Sequence, residues 1–560
     1  MLRDPVLRRW LLRRILGLEK GSLDFKNKPP PYLIRTADKI SAVKAPVWSG
    51  RTTNGAFSIP QGVTTIDLPG ISVELSAANP GLLFDRNYPD LETLLGAHRF
   101  AWVPLAGSDL DPDWVDAIWK CWKERFSGNL TGWPWHAYTA AERAINIIDF
   151  AAQYGLPGKP DETVDLLTKH ASVIRNNLEY FGERYTSNHL SNNGRGLLRI
   201  GLALSLEEYI DEGARILIAE AGRIFGRSGL LKEGSSHYHL LITRNYIDAW
   251  LAADIAGIEQ ASTLHDISER AVAAVSVLFL RGGMPLIGDI SPDVPPEYFS
   301  FLADGNKAEA TENSITNDGL HQAFINMLSR VTPISPDRAA EDGWHRFDSE
   351  NWQALAYVPP DGWPPAPGHG HQDLGSFELH DGNTRIIVDP GRGSYTDEEY
   401  VGAAMHNSLT IDEHEPMPKN RPYYDSSFRR RIVPHTPKFK RTRTGRTLGW
   451  SGLTGVPDVE SFHREWRFGK EKIEIWDNVE GNGRHQIKRR YFTPASVKIE
   501  GGCAILTTDG RQWRLSAGVR PEVKKSTRWT AYGKGSLGNV ITFRQMGKLP
   551  FEGKTVLERL

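Results

Sequence analysis

GHGHQDLGSFELH, residues 368–380, stands where the chain changes character. Upstream, apolar residues recur every three to four positions in Pro112–Phe126, Ala140–Tyr154, Glu162–Phe181, Leu197–Leu206, Glu207–Phe225, Tyr238–Ile255 and Leu264–Leu278. That is the spacing of amphipathic helices. From Trp352 onward the apolar runs are short and rich in β-branched and aromatic residues. They are Gln353–Val358, Gly375–His380, Arg385–Val388, Ser408–Ile411, Lys472–Trp476, Lys488–Phe492 and Ala504–Thr508. Asp381-Gly382, Gly481-Asn482 and Asp509-Gly510 lie between them, pairs that turn antiparallel strands back on themselves. The pattern predicts helical hairpins around a cleft in residues 91–335 and an antiparallel β-sandwich in residues 336–560. Residues 1–90 read as a basic amphipathic helix, then an irregular segment with short strands at Thr65–Leu68 and Ile71–Leu75.

Local signals punctuate the helical part. Asp111-Pro112, Thr139 and Asp161-Glu162 read as helix starts, and Pro157, Gly182 and Gly257 as stops. A chain of 560 residues with 40% hydrophobic side chains is long enough for two or more cored domains. A net charge of −1 supplies no global field for nucleic acid. Cys121 and Cys503 are the only cysteines, which excludes a disulfide scaffold and a cysteine-based zinc site. No apolar run is long enough to span a bilayer. The first residues, MLRDPVLRRWLLRRILGLEK, are broken by Arg8, Arg9, Arg13 and Arg14, unlike a secretory signal. A cytoplasmic location is therefore expected. The same basic helix could dock peripherally on an anionic membrane or pack on its own protein.

Three clusters carry chemistry. In the first, His369, His371 and Asp373 alternate along an extended run and share a face. Asp389 ends the apolar strand Arg385–Val388, and His406 precedes Ser408–Ile411. Neighbouring strands could bring His371, Asp389 and His406 together, a ligand set that suits zinc. The second cluster is Thr186-Ser187-Asn188-His189 and the third is Glu233-Gly234-Ser235-Ser236-His237-Tyr238-His239, both at helix starts. Ser187, Asn188, Ser235 and Ser236 are credible caps. Tyr238 would carry a proton if a neighbouring cation lowered its pKa.

These stretches resemble the heparinase II/III family of polysaccharide lyases, with its alginate-lyase relatives. The resemblance rests on HGHQDLGSFEL, VDPGRGSY and MHNSLTID, with TSNHL and EGSSHYH in the right order, over roughly residues 90 to 550. It implies an incomplete (α/α) toroid followed by an antiparallel β-sandwich. It also implies β-elimination next to a uronic acid in an acidic polysaccharide or oligosaccharide. Asn188 and His189 would neutralise the uronate carboxylate, and Tyr238 and His369 would serve as acid and base. His371, Asp389 and His406 match the family's metal positions, where a structural zinc would orient His369. Gln372 stands where a small residue is commoner.

Further residues are candidates for the cleft. Trp133, Trp135 and His136, in TGWPWHAY, could stack on sugars or pack in the core. Tyr395 and Tyr400 follow Asp389 and could line the same cleft. Arg143 is a possible carboxylate partner. Arg429 to Arg446 holds eight Lys or Arg and no acid, a stretch that could attract a polyanion or be a solvated loop. Two rivals stand beside the lyase. HxHxD also opens the metal motif of metallo-β-lactamase-like hydrolases, but Leu374 stands where their next histidine falls. A glycan-binding or assembly protein of the same fold, without turnover, is the other.

Overall fold

A computed structural model describes residues 11–18, 28–33, 57–183, 185–302, 318–366, 368–417, 436–443, 445–451, 456 and 458–560. A short hairpin, β1 (Val63–Leu68) and β2 (Ile71–Ser76), precedes the helical half. Its main helices are Leu91–Arg99, Pro112–Phe126, Ala137–Tyr154, Pro160–Asn176, His189–Leu204, Glu207–Ile224, Ser236–Ala256 and Ala261–Leu278. Successive helices pack in hairpins, forming the incomplete toroid. No described helix is long and apolar enough to cross a membrane. Residues 1–10 of the basic N-terminal segment lie outside the described residues, and 11–15 are helical.

Capping fixes several helix starts. Asp90 accepts from Thr93 N, Asp111 from Asp113 N beside Pro112, and Ser235 from Tyr238 N. Each such cap is worth about 1 kcal/mol. Thr139 is not a start: the helix begins at Ala137, and Thr139 is buried inside it. Another helix begins at His189, where the Thr186–His189 cluster marks a start, although its apolar period is plain only from Leu197. Its first turns bury polar groups that break the apolar period. Arg195, for example, meets Glu142 at 2.8 Å and Asp248 at 2.6 Å. Leu91–Arg99 went unpredicted because its buried face includes Thr93, His98 and Arg99. Two apolar cores fill the helical half, one around Trp119, Trp122 and Ile147, the other around Leu241, Tyr246 and Leu278.

The second half is antiparallel throughout its named ladders. An eight-stranded sheet shares one core with two four-stranded sheets, the sandwich that strand alternation predicts. Strands Trp352–Tyr357, Glu378–Asp381 and Thr384–Ile387 belong to one four-stranded sheet. Leu409–Ile411 pairs with Arg484–Thr493 in the other. Phe462, Trp466, Tyr491 and Phe543 meet in the shared core. Of the basic stretch, residues 429–435 and 444 lie outside the described residues, while Lys438–Arg441 forms the edge strand of the large sheet.

Residues 286–293 run between the two halves. Ser236 N donates to Ile287 O at 3.0 Å, Asp289 N to His369 O at 2.9 Å and Ile290 N to Arg392 O at 3.0 Å. This segment ties the Ser236–Ala256 helix to the His369 and Arg392 loops of the β half.

Candidate active site between the two halves

His369 sits between two glycines that press against the helical half. A Cβ on Gly368, whose φ is +149°, would lie 2.9 Å from the Glu233 carboxyl carbon. One on Gly370 would lie 2.8 Å from Glu233 O. Only glycine allows this approach. His369 and His371 then converge on one carboxylate. His369 Nδ1 lies 3.1 Å from Asp289 Oδ2, and His371 Nε2 lies 3.0 Å from Asp289 Oδ1. Arg392 donates to the same carboxylate at 3.1 Å. Burial would raise the pKa of Asp289, but the hydrogen bonds from His369 and His371 hold it well below the usual range. Asp373 does not join this face: it turns toward His406 Nδ1, at 3.8 Å.

Tyr238 comes from the first turn of the Ser236–Ala256 helix, just after its Ser235 cap. Its ring stacks on His369, centroids 3.4 Å apart and planes within 10°. Its hydroxyl hydrogen-bonds that of Tyr395. Burial first, and then the Glu92 carboxylate, push the phenol well above its usual pKa. The cation-lowered Tyr238 expected from the sequence is thus corrected: the ring is enclosed, and no cation offsets that burial. A phenol so placed is held neutral, as a donor.

Asn188 and His189 start the neighbouring helix. Asn188 does not cap it with its side chain. Its N and Nδ2 instead donate to the two Glu233 oxygens, each at 2.7 Å. Glu233 Oε2 also lies 3.9 Å from His369 Nε2. His189 Nδ1 meets Glu179 Oε1 at 2.7 Å, and His136 Nε2 reaches the same oxygen at 3.4 Å. Burial lowers the His189 pKa, but Glu179 outweighs it and holds the imidazole above its usual value. Glu179, with burial opposing and His189 favouring its charge, is held down to about 2.

His371, Asp389 and His406 are buried, each offering a ligand atom within 4.8 Å of the others. His371 Nδ1 is buried without a hydrogen-bond partner. Each histidine has its other nitrogen engaged: His371 Nε2 with Asp289, and His406 Nε2 with Tyr400 O at 2.6 Å. An outer partner on each ligand and an inward orphan nitrogen are the features that hold a metal. The donor set fits zinc.

Several candidates fall elsewhere. Trp135 is a core residue, not a cleft wall: its ring packs on His170 at 4.6 Å and its N–H donates to Phe126 O. The Tyr400 side chain points away, its hydroxyl donating to Thr527 O at 3.0 Å. Arg143 is fully buried over Trp122, donating to His170 and His98 O, and reaches no cleft. Trp133 is half-exposed beside His136, ring centroids 5.6 Å apart. Glu233 was in a quoted motif without a role. Arg392 likewise stood in the quoted VDPGRGSY without a role, and Asp289, 80 residues before His369, and Glu179, in the loop before His189, were missed because a lone acid carries no spacing signal.

Residues 332–555 match the family described as Heparinase II/III-like, C-terminal. No curated protein matches the sequence. Among solved structures, a heparan sulfate lyase HepC mutant from Pedobacter heparinus is 15% identical with a TM-score of 0.53, covering 85% of this chain and 78% of that one. A heparinase III is 13% identical with a TM-score of 0.60, covering 84% and 76%. A heparinase III gene product is 17% identical with a TM-score of 0.56, covering 84% and 80%. These likenesses establish the shared fold. The heparinase II/III-like part supplies His369, His371, Asp389, Tyr395 and His406, while the helical part supplies Asn188, His189 and Tyr238.

Proposed function

We propose that the protein is a polysaccharide lyase that cleaves an acidic, uronate-containing glycan by β-elimination. The observation that carries this reading is the Tyr238–His369 stack beside the Asn188–Glu233 and His189–Glu179 pairs. β-Elimination needs a base for the proton beside the carboxylate, an acid for the leaving oxygen and donors for the negative charge that develops. With Nδ1–H donated to Asp289, His369 presents Nε2 as the base. Neutral Tyr238 gives its hydroxyl proton to the leaving oxygen. The carbon–oxygen bond breaks and a carbon–carbon double bond forms, with no water entering.

Charge neutralisation falls to Asn188 and His189. Asn188 has a second amide proton beyond the one committed to Glu233. Glu179 outweighs burial and favours the cationic form of His189, whose ring is partly open to solvent. Zinc, held by His371, Asp389 and His406, would supply a fixed positive charge that locks strand ends and, through His371 and Asp289, the aim of His369. A hydrolase reading would need an open metal position, whereas this trio is fully buried.

The test is a panel of heparan sulfate, chondroitin, hyaluronan and polymannuronate, assayed by ultraviolet absorbance of the conjugated product. Absorbance should rise on at least one polymer. Tyr238→Phe should fold normally and lose roughly a hundredfold or more in rate. Chain cleavage without absorbance would replace the lyase with a hydrolase, and binding without cleavage would replace it with a glycan-binding protein.

A further inference from the structure

A row of side chains crosses the site from open to closed. It starts at Trp133, 46% exposed, and passes His136 and His189, whose side chains are 33% and 39% exposed. At His369 the side-chain figure is 14%, and Tyr238 is only 6% exposed. Beyond Tyr238 comes Tyr395, whose ring meets that of Tyr532 at 5.3 Å. Tyr532 is buried against Leu286 and Ile290.

What lies behind Tyr532 is backbone. The turn after Tyr532 meets the turn of the N-terminal hairpin, and there the two halves touch. A Cβ on Gly533 would lie 2.1 Å from Gly70 Cα. Both glycines have positive φ, +68° and +77°. The hairpin turn is itself held, since Thr93 Oγ1 donates to Pro69 O at 2.8 Å. On the other side, Gly533 N donates to Gly393 O at 2.7 Å, and Trp529 N to Pro390 O at 2.8 Å. Among the described residues, these two turns, pressed together and each anchored to its own half, close the way beyond Tyr532.

We propose that the cleft is blind beyond Tyr238, so that the enzyme trims mono- or disaccharides from the non-reducing end of a uronate glycan. This rests on the lyase reading, because that reading orients the chain. The leaving oxygen, which takes the Tyr238 proton, belongs to the sugar on the non-reducing side. The uronate gripped by Asn188 and His189 lies on the reducing side, toward the Trp133 mouth. The polymer therefore trails out past Trp133, and only a short end piece fits against Tyr395 and Tyr532.

The experiment follows product size by gel filtration over time, on whichever polymer of the panel gives absorbance. The expected result is short unsaturated fragments from the first minutes, while the elution position of the remaining polymer holds. Tyr532→Ala, which removes the end wall, should shift the early products to longer oligosaccharides. Mid-sized fragments from the wild-type enzyme at the outset, together with absorbance, would overturn the blind end and leave the lyase standing. Absence of absorbance on every polymer would overturn both.

Discussion

His369 and Asp289 meet at 3.1 Å, and the same carboxylate takes His371 through its second oxygen. One acid thereby fixes the ring orientation of the proposed base and of a proposed metal ligand. Asp289→Asn keeps the shape but replaces one acceptor oxygen by a donor. It should lower kcat by roughly ten- to hundredfold, with KM little changed. Steady-state kinetics and metal content, measured on the same preparation, check this. Unchanged kcat would free His369 from Asp289.

Glu179 sets the charge of His189. The raised imidazole pKa means that the pair stabilises the fold fully below about 6.5 and loses this contribution as pH rises through the raised folded value. The carboxylate side runs the other way: its contribution is present above 4.5 and lost as pH falls through about 2. Glu179→Gln should therefore move the alkaline limb of kcat/KM to lower pH. Melting temperatures at pH 6 and pH 9 should differ less in the variant than in the wild type.

Trp133 and Trp135, two residues apart, should behave oppositely. Trp135→Ala empties a buried aromatic cluster and should cost about 3–5 kcal/mol of stability. Trp133→Ala should change stability by no more than about 0.5 kcal/mol. It should raise KM roughly two- to tenfold through lost stacking. Denaturation curves and kinetics on the two variants distinguish the wall from the core.

The buried trio should take up one zinc ion. His406→Ala removes a ligand and leaves Asp389 without its 3.0 Å partner. The loss should be on the order of 3–5 kcal/mol, with zinc lost as well. Elemental analysis and the effect of a chelator on the wild-type melting temperature test it. A melting temperature indifferent to chelation would remove the metal.

The two-part architecture was legible because the hydrophobic period changes once, near residue 340, and long helices and sandwich strands both write their period plainly. The histidines were legible because they lie close in sequence. Their carboxylate partners were not. Asp289 lies 80 residues before His369, and Glu179 sits in the loop that leads to His189, reaching His136 only through the fold. The His189–Leu204 start was marked by the polar cluster at 186–189, while its apolar period showed only from Leu197, because the buried polar pairs of its first turns look like surface in a one-dimensional pattern. Trp135 and Tyr400 failed as cleft residues because an aromatic ring in a loop-like motif has two faces to choose from, and sequence does not say which is wet.

The segment between the halves has a mechanical consequence. At Gly288, φ +83°, a Cβ would sit 2.8 Å from both Gly234 O and His369 O. Helix, connector and histidine loop are thus seated backbone to backbone, without side chains to act as cushions. A jaw-like swing of one half against the other would pull Tyr238 and His369 out of alignment. Traffic in and out should instead depend on small adjustments at the rim, so that the catalyst works as a rigid socket rather than a hinge.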